Sequence, residues 1–258
     1  MSGTWAEVAD GVLVRRHASL DLNCGLVLGE GACLVIDTRS HLGEATELAV
    51  AVRAVTPHPW TVVNTHAHYD HCFGNAAFRP ARIWASRGCA LELAENGERQ
   101  RATVAAALRA LGDADAELVA GAPLDPPDRL VEDIAVLDIG GREVTLHHLG
   151  RGHTDHDLVV EVAADGDGTV LFAGDLVEEG APPAFEDAFP ADWPATLGRL
   201  HALARGPVVP GHGAVVDADF VGAQREQLLA VVAALRAGRP DRGPYDAETM
   251  AVAARRPL

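Results

Sequence analysis

The stretch NTHAHYDHCFGN, residues 64–75, sets three histidines and an aspartate within six positions: His66, His68, Asp70 and His71. Neutral imidazole is a ligand for zinc, iron or nickel, and a carboxylate adds a hard oxygen donor. The apolar run TVVNT precedes the motif and reads as a strand. Positions i and i+2 of an extended chain share a face, so His66 and His68 can converge on one point. A helical turn after Tyr69 would swing Asp70 and His71 toward a neighbouring point. One stretch thus supplies half of each of two adjacent metal sites.

Three later segments share one rule of apolar run, glycine, then a ligand-type residue. GRGHTDHD (150–157) presents His153, FAGD (172–175) presents Asp175, and PGHG (210–213) presents His212 in a tight turn.

The elements that must position these residues follow from periodicity. VLVRRHAS, CGLVLG and ACLVID read as strands, with a hairpin turn at 29–31. Residues 44–56 place Ala45, Leu48, Ala49, Val52 and Val55 on one helical face. Helices are expected over 87–96 and 98–111, with a proline-rich loop at 120–130. Strands are expected in IAVLDIGG, REVTLHHL, DLVVEVAA and TVLFAGDL. Asp192 is placed as an N-cap with Pro194 in the first turn of a helix to about Ala204. GPVVPGHG reads as strand, and a last helix runs from about Asp219 to Ala237, stopped by Gly238. LVIDT (34–38) and LFAGDL (171–176) each end a buried strand in aspartate, which suggests two similar β-rich halves face to face. Helices interleaved with strands give an α/β class.

The ligand set, in this order, resembles the metallo-β-lactamase-fold superfamily from about residue 8 to 215. That resemblance implies a four-layer αβ/βα sandwich of two packed mixed β-sheets with helices outside. One domain is expected over residues 1–240, with the Arg- and Pro-rich residues 241–258 as a loose C-terminal tail. The resemblance implies that His66, His68 and His153 hold a first metal, that Asp70, His71 and His212 hold a second, and that Asp175 bridges them. The set is similar to that of glyoxalase II. Five neutral imidazoles and two carboxylates carry −2 against +4 from two divalent ions. The surplus favours a bound hydroxide, which metal coordination makes available near pH 7 by lowering the pKa of water. Two ions about 3.5–4 Å apart could share it, and Asp70 would be the catalytic residue that orients it.

The expected activity is hydrolysis of an ester, thioester, lactone or lactam in a small substrate, with two divalent ions, zinc first and iron or manganese as options. Departures from relatives bear on the choice. Asp175 and the absence of a leader weigh against a β-lactamase, which stays an alternative. Only 46 residues follow His212, without a lysine, which weighs against glutathione recognition. A mononuclear iron enzyme of the persulfide dioxygenase type would need only His66, His153 and Asp175, and a non-catalytic metal-binding protein is the other alternative. Phe185, Phe189 and Trp193 are expected to wall the substrate pocket, with His156 and Arg151 beside it.

Bulk properties bound the partners. The net charge of −16, with all 21 basic residues arginine, argues against nucleic acid. No run reaches the length of a membrane helix. The N-terminus carries Asp and Glu where a signal peptide would be apolar, so a cytoplasmic protein is expected. Cys24, Cys33, Cys72 and Cys89 lack C-x-x-C spacing, and Cys72 reads as a buried thiol beneath the site. Asp37 is expected to support the histidine loop by hydrogen bonding. His17, His41, His58 and His201 read as surface residues. The oligomeric state stays open.

Overall fold

Alternation within the strands decides the layering. In the run Cys33-Leu34-Val35-Ile36, Leu34 and Ile36 pack with Val63, Leu146 and Phe172, whereas Cys33 and Val35 pack with Leu48 and Val52 of a helix. Both faces of this strand are covered, and each fully buried aliphatic side chain contributes about 1.5–3 kcal/mol. The computed structural model describes residues 3–164 and 166–258.

In chain order the elements are β1 (Trp5–Ala9), β2 (Val12–Arg16), β3 (Asn23–Gly29), β4 (Ala32–Ile36), α1 (Leu42–Val55), β5 (Trp60–Val63), α2 (Tyr69–Cys72), β6 (Ile83–Ser86) and α3 (Arg87–Leu111). There follow α4 (Ala116–Ala120), β7 (Arg129–Val131), β8 (Ile134–Ile139), β9 (Arg142–His147), β10 (Val159–Ala163), β11 (Thr169–Glu178), α5 (Trp193–Leu203), β12 (Val208–His212), α6 (Ala218–Arg236) and α7 (Ala247–Ala253). One sheet runs β1-β2-β3-β4-β5-β6-β7 and the other β12-β11-β10-β9-β8. The first turns from antiparallel to parallel at β4–β5, the second at β10–β11 to β11–β12. Both sheets are therefore mixed.

Between the sheets lie Val12, Val27, Val63, Val144, Leu146, Val160 and Phe172. Outside the second sheet, Val159, Leu171 and Ala173 pack against Leu197, Leu200, Leu228 and Val231 of α5 and α6. β11 is buried at every position, as a strand covered on both faces must be. The expected helix–sheet–sheet–helix sandwich is what the chain forms. Among the described residues no helix is long and apolar enough to cross a membrane.

Three expectations need correction. The helices expected at 87–96 and 98–111 are one helix, α3, capped by Ser86 and stopped by Gly112 in the left-handed region. Gly97 sits inside it because a Cβ there would come within 3.0 Å of Leu124 Cδ1. Packing thus offsets the ~1 kcal/mol that glycine costs a helix. The last residues are not a loose tail. Asp246 caps α7, and Met250 and Ala253 lie buried in the core beside Leu228 and Val231. His17 and His41 are buried, not at the surface. His17 Nδ1 accepts a hydrogen bond from the Arg39 guanidinium, and His41 Nδ1 accepts from the backbone N–H of Gly43 and Glu44 to cap α1.

Candidate metal centre

Strand ends deliver the donors. β5 stops at Val63, and residues 64–71 turn across the rim of the sandwich into α2, with His68 at its N-cap. Asn64 and Thr65 brace this turn. Asn64 Nδ2 donates to the His71 carbonyl at 3.1 Å, and Thr65 N–H to Asp37 Oδ1 at 2.8 Å. The Leu158 N–H donates to the Thr65 carbonyl at 2.7 Å, tying the His153 loop to the same rim. Thr154 folds that loop on Asp157 through two bonds of 2.8 and 2.6 Å. Gly152 is required there because a Cβ would come 2.4 Å from Leu176 Cδ2. Asn23 Nδ2 donates to the carbonyls of Pro210 and Gly213 at 3.0 and 2.9 Å, fixing the turn that carries His212.

Two sets of donors result. His66, His68, His153 and Asp175 offer ligand atoms all within 4.8 Å of one another, and Asp70, His71 and His212 form a second such set. Asp175 Oδ2 lies 3.6 Å from His66 Nε2, 3.5 Å from His153 Nε2 and 3.4 Å from His212 Nε2, and Oδ1 lies 3.3 Å from His71 Nε2. The seven side chains singled out in the sequence therefore meet, with Asp175 between the sets.

The spacing suits metal ions better than hydrogen bonds. Ligand atoms about 2.0–2.1 Å from a tetrahedral ion lie about 3.3–3.4 Å from one another. His66 Nε2 and Asp175 Oδ1 are buried without a hydrogen-bond partner among the described residues, a costly state for polar atoms. His68 Nδ1 and His153 Nε2 face each other at 2.9 Å, a contact between two nitrogens that needs a proton or a cation. The donor chemistry fits divalent metals.

The opposite ring atoms fix which nitrogen is free. His71 Nδ1–H donates to Asp37 Oδ2 at 2.7 Å, and His212 Nδ1–H to the Leu20 carbonyl at 2.7 Å. His68 Nε2–H donates to Asp187 Oδ2 at 2.9 Å. Each leaves the inward nitrogen as the lone pair, the usual support for a ligating imidazole. The expected role of Asp37 is found. Cys72 is buried, its thiol donating to the carbonyls of Ala67 and His68, and burial raises its pKa well above the ordinary value. It is no ligand.

Charge is shared unevenly over the set. Burial lowers the pKa of His66 and His153. Burial opposes charge on His71 too, but the carboxylates of Asp175, Asp70 and Asp37 outweigh it and hold its pKa well above the ordinary value. His212 is likewise pushed up to about 12, against burial, chiefly by Asp175. Asp175 is held well below the carboxylate range by His71 and His212 in spite of burial. Metal binding would displace protons from such a site.

A third set, His41, Glu44 and Asp115, also has clustered donors. His41 Nδ1 already accepts two helix N–H groups, so Nε2 carries the proton and offers no lone pair. It is a helix cap.

The metal-type residues floor a cleft of about 550 Å³. It is lined by His68, Asp70, His153 and Asp175, by Tyr69 and Ala184, by Asn96, Gln100, Thr103 and Val104 of α3, and by Glu186 and Asp187. Among the described residues, clefts of about 560 and 700 Å³ beside Arg205 and at the hairpin turns of Gly29 and Gly141 hold no such cluster. Chemistry, not size, picks the site.

None of the five residues expected at the pocket lines this cleft. Phe185 and Trp193 are core, stacked edge-on with ring centroids 5.8 Å apart. Trp193 donates from Nε1 to the Leu176 carbonyl and sets its ring edge-on to His153. His156 accepts from Ala67 N–H at 3.3 Å, beneath the histidine loop. Arg151 pairs with Asp192 at 2.7 Å and lies over the Phe189 ring. Phe185 and Trp193 are buried in the core with Leu197 and Leu228, whereas Glu186 and Asp187 line the cleft. The α3 wall and Asp187 were missed, although Asp187 lies in the same loop as the aromatics chosen.

A helix–sheet–sheet–helix sandwich with two donor sets on one rim is the build of a metallo-hydrolase. A family model described as the metallo-beta-lactamase superfamily matches residues 20–212, and the chain belongs to that superfamily. It is 27% identical over 231 residues to acyl-coenzyme A thioesterase MBLAC2 of Gallus gallus, covering 81% of this chain and 76% of that one. Among solved structures, the metallo-beta-lactamase from Pontibacter korlensis superposes with a TM-score of 0.68 at 20% identity, over 88% of this chain and 99% of that one. The metallo-beta-lactamase FIM-1 from Pseudomonas aeruginosa in its mono-zinc form gives 0.66 at 18% identity, over 89% and 96%. At these identities the two structures speak for the fold. The chain is a metal-binding hydrolase of this superfamily.

Proposed function

We propose that the chain hydrolyses the thioester or ester bond of a small acyl substrate. In this reading His66, His68 and His153 hold one zinc ion, Asp70, His71 and His212 hold a second, and Asp175 is shared. The observation that carries it is Asp175, whose two oxygens reach both histidine sets at 3.3–3.6 Å on the floor of a cleft. Bound divalent ions supply a Lewis acid for the acyl carbonyl and lower the pKa of water toward about 7.

The chain's own groups do the rest. Tyr69, Val104 and Ala184 offer apolar surface for an acyl group. Gln100, which lines the cleft, donates to the Ala67 carbonyl at 3.1 Å and so braces the histidine loop from α3. Asp70 at the cleft floor accepts a hydrogen bond from the attacking water and so orients it. Thioester chemistry is favoured by the thioesterase relative. The four free, buried thiols fit a reducing, cytoplasmic setting.

Elemental analysis and a panel of acyl-coenzyme A thioesters, esters, lactones and cephalosporins test the reading. Two zinc ions per chain and thioester or ester turnover, abolished by chelator and restored by zinc, are expected. One iron with oxygen uptake on a persulfide, or a lactam as the sole substrate, would overturn it.

A further inference from the structure

We infer that Arg256 is a positioning residue for the first metal site, acting through residues 187–188 and the Asp187 carboxylate on His68. The inference rests on the proposed metal-holding role of His68.

The connection is short and continuous. Arg256 follows α7, whose Met250 and Ala253 anchor it in the core. Its Nε donates to the Ala188 carbonyl at 2.8 Å and its terminal nitrogen to the Asp187 carbonyl at 2.7 Å. Among the described residues no other group bonds these two carbonyls. Its guanidinium lies 5.9 Å from the centre of the Phe189 ring, which Arg151 also covers at 4.8 Å. Two cations on one aromatic ring and two donors on consecutive carbonyls pin this segment from outside.

The pinned segment carries a function inward. Asp187 Oδ2 accepts from His68 Nε2–H at 2.9 Å, which turns His68 Nδ1 toward His153 and the first donor set. The Asp187 side chain is 53% exposed. Water competes for it there, so its aim at His68 depends on where the backbone holds it. Arg256 supplies that hold with a planar, two-point fork that a lysine cannot copy. Glu186 and Asp187 also line the cleft.

Partners behind a ligating histidine typically change metal affinity by about 10- to 100-fold. Zinc affinity at each site, read by competition with a chromophoric chelator, is compared in wild type, Arg256→Ala, Asp187→Ala and the double variant. Arg256→Ala is expected to weaken the first ion about tenfold and leave the second unchanged. The double variant should bind no more weakly than Asp187→Ala, because Arg256 acts only through that carboxylate. A general loss of packing would instead weaken both ions and add to the Asp187 effect, which overturns the inference. If Arg256→Ala does not fold, Arg256→Lys carries the same comparison, and wild-type affinity in it overturns the inference. Wild-type protein that takes up no zinc would refute the metal reading itself, whereas two ions held equally well with and without Arg256 would refute this inference alone.

Discussion

Asp37→Asn isolates the support of a single imidazole. The Asp37 carboxylate is buried and accepts three hydrogen bonds, from Thr65 N–H and Oγ1–H at 2.8 Å each and from His71 Nδ1–H at 2.7 Å. Asparagine keeps the shape but turns one acceptor into a donor. With its oxygen kept on Thr65 N–H, its NH2 faces His71 Nδ1, and the imidazole must move its proton to Nε2, the atom that faces Asp175 and His212. The second ion should then bind about 10- to 100-fold more weakly, roughly 1.4–2.7 kcal/mol. The metal-free protein should lose about 1.5–3 kcal/mol for the charge-assisted bond, a fall of about 3–12 °C in Tm. Calorimetric melting in chelator gives the second number and stepwise zinc titration the first. An unchanged second-site affinity would refute the tautomer argument, even if Tm fell.

Other outcomes follow from the same geometry. His153→Ala should lose the first ion, whereas Asp70→Ala should lose the second and slow turnover while the fold stays intact; equal, full metal content in both by elemental analysis would break the assignment. Gly211→Ala should strip metal from both sites, because its Cβ would fall 1.8 Å from Asp175 Oδ1; a full zinc complement in this variant would show that Asp175 need not sit there. His17, buried with its pKa lowered to about 3 by burial and by Arg39 and Arg15, is held neutral. Its folded value lies below the unfolded one near 6.5, so its stability is complete above about pH 6.5 and is lost as pH falls toward 3, about 2 kcal/mol between pH 7 and 5. Urea melts of His17→Gln should show a flatter acid limb than wild type, and parallel limbs would contradict this.

The donors could be read in the chain because each follows an apolar strand run, with a glycine before His153, Asp175 and His212, and because imidazole and carboxylate carry their coordination chemistry with them. The layering was legible for the same reason, since the apolar runs ACLVI of β4 and TVLFA of β11 declare strands buried on both faces. Local rules misled where long-range packing overrode them. Gly97 did not break α3, because Leu124 fills the space beside it, and the Arg- and Pro-rich end folded, because Met250 found a core.

The sequence by itself determined which seven side chains could hold metal and in what order the strands present them. Only the tertiary structure decided what aims them. Asp187 meets His68 across 119 residues, and Arg256 reaches Asp187 across 69. The burial of Phe185 and Trp193 in the core beside α6, and the facing of α3 into the cleft, were settled the same way. Such pairings follow from which surfaces are brought together when the two sheets close on their core, and no local pattern of residues carries that information.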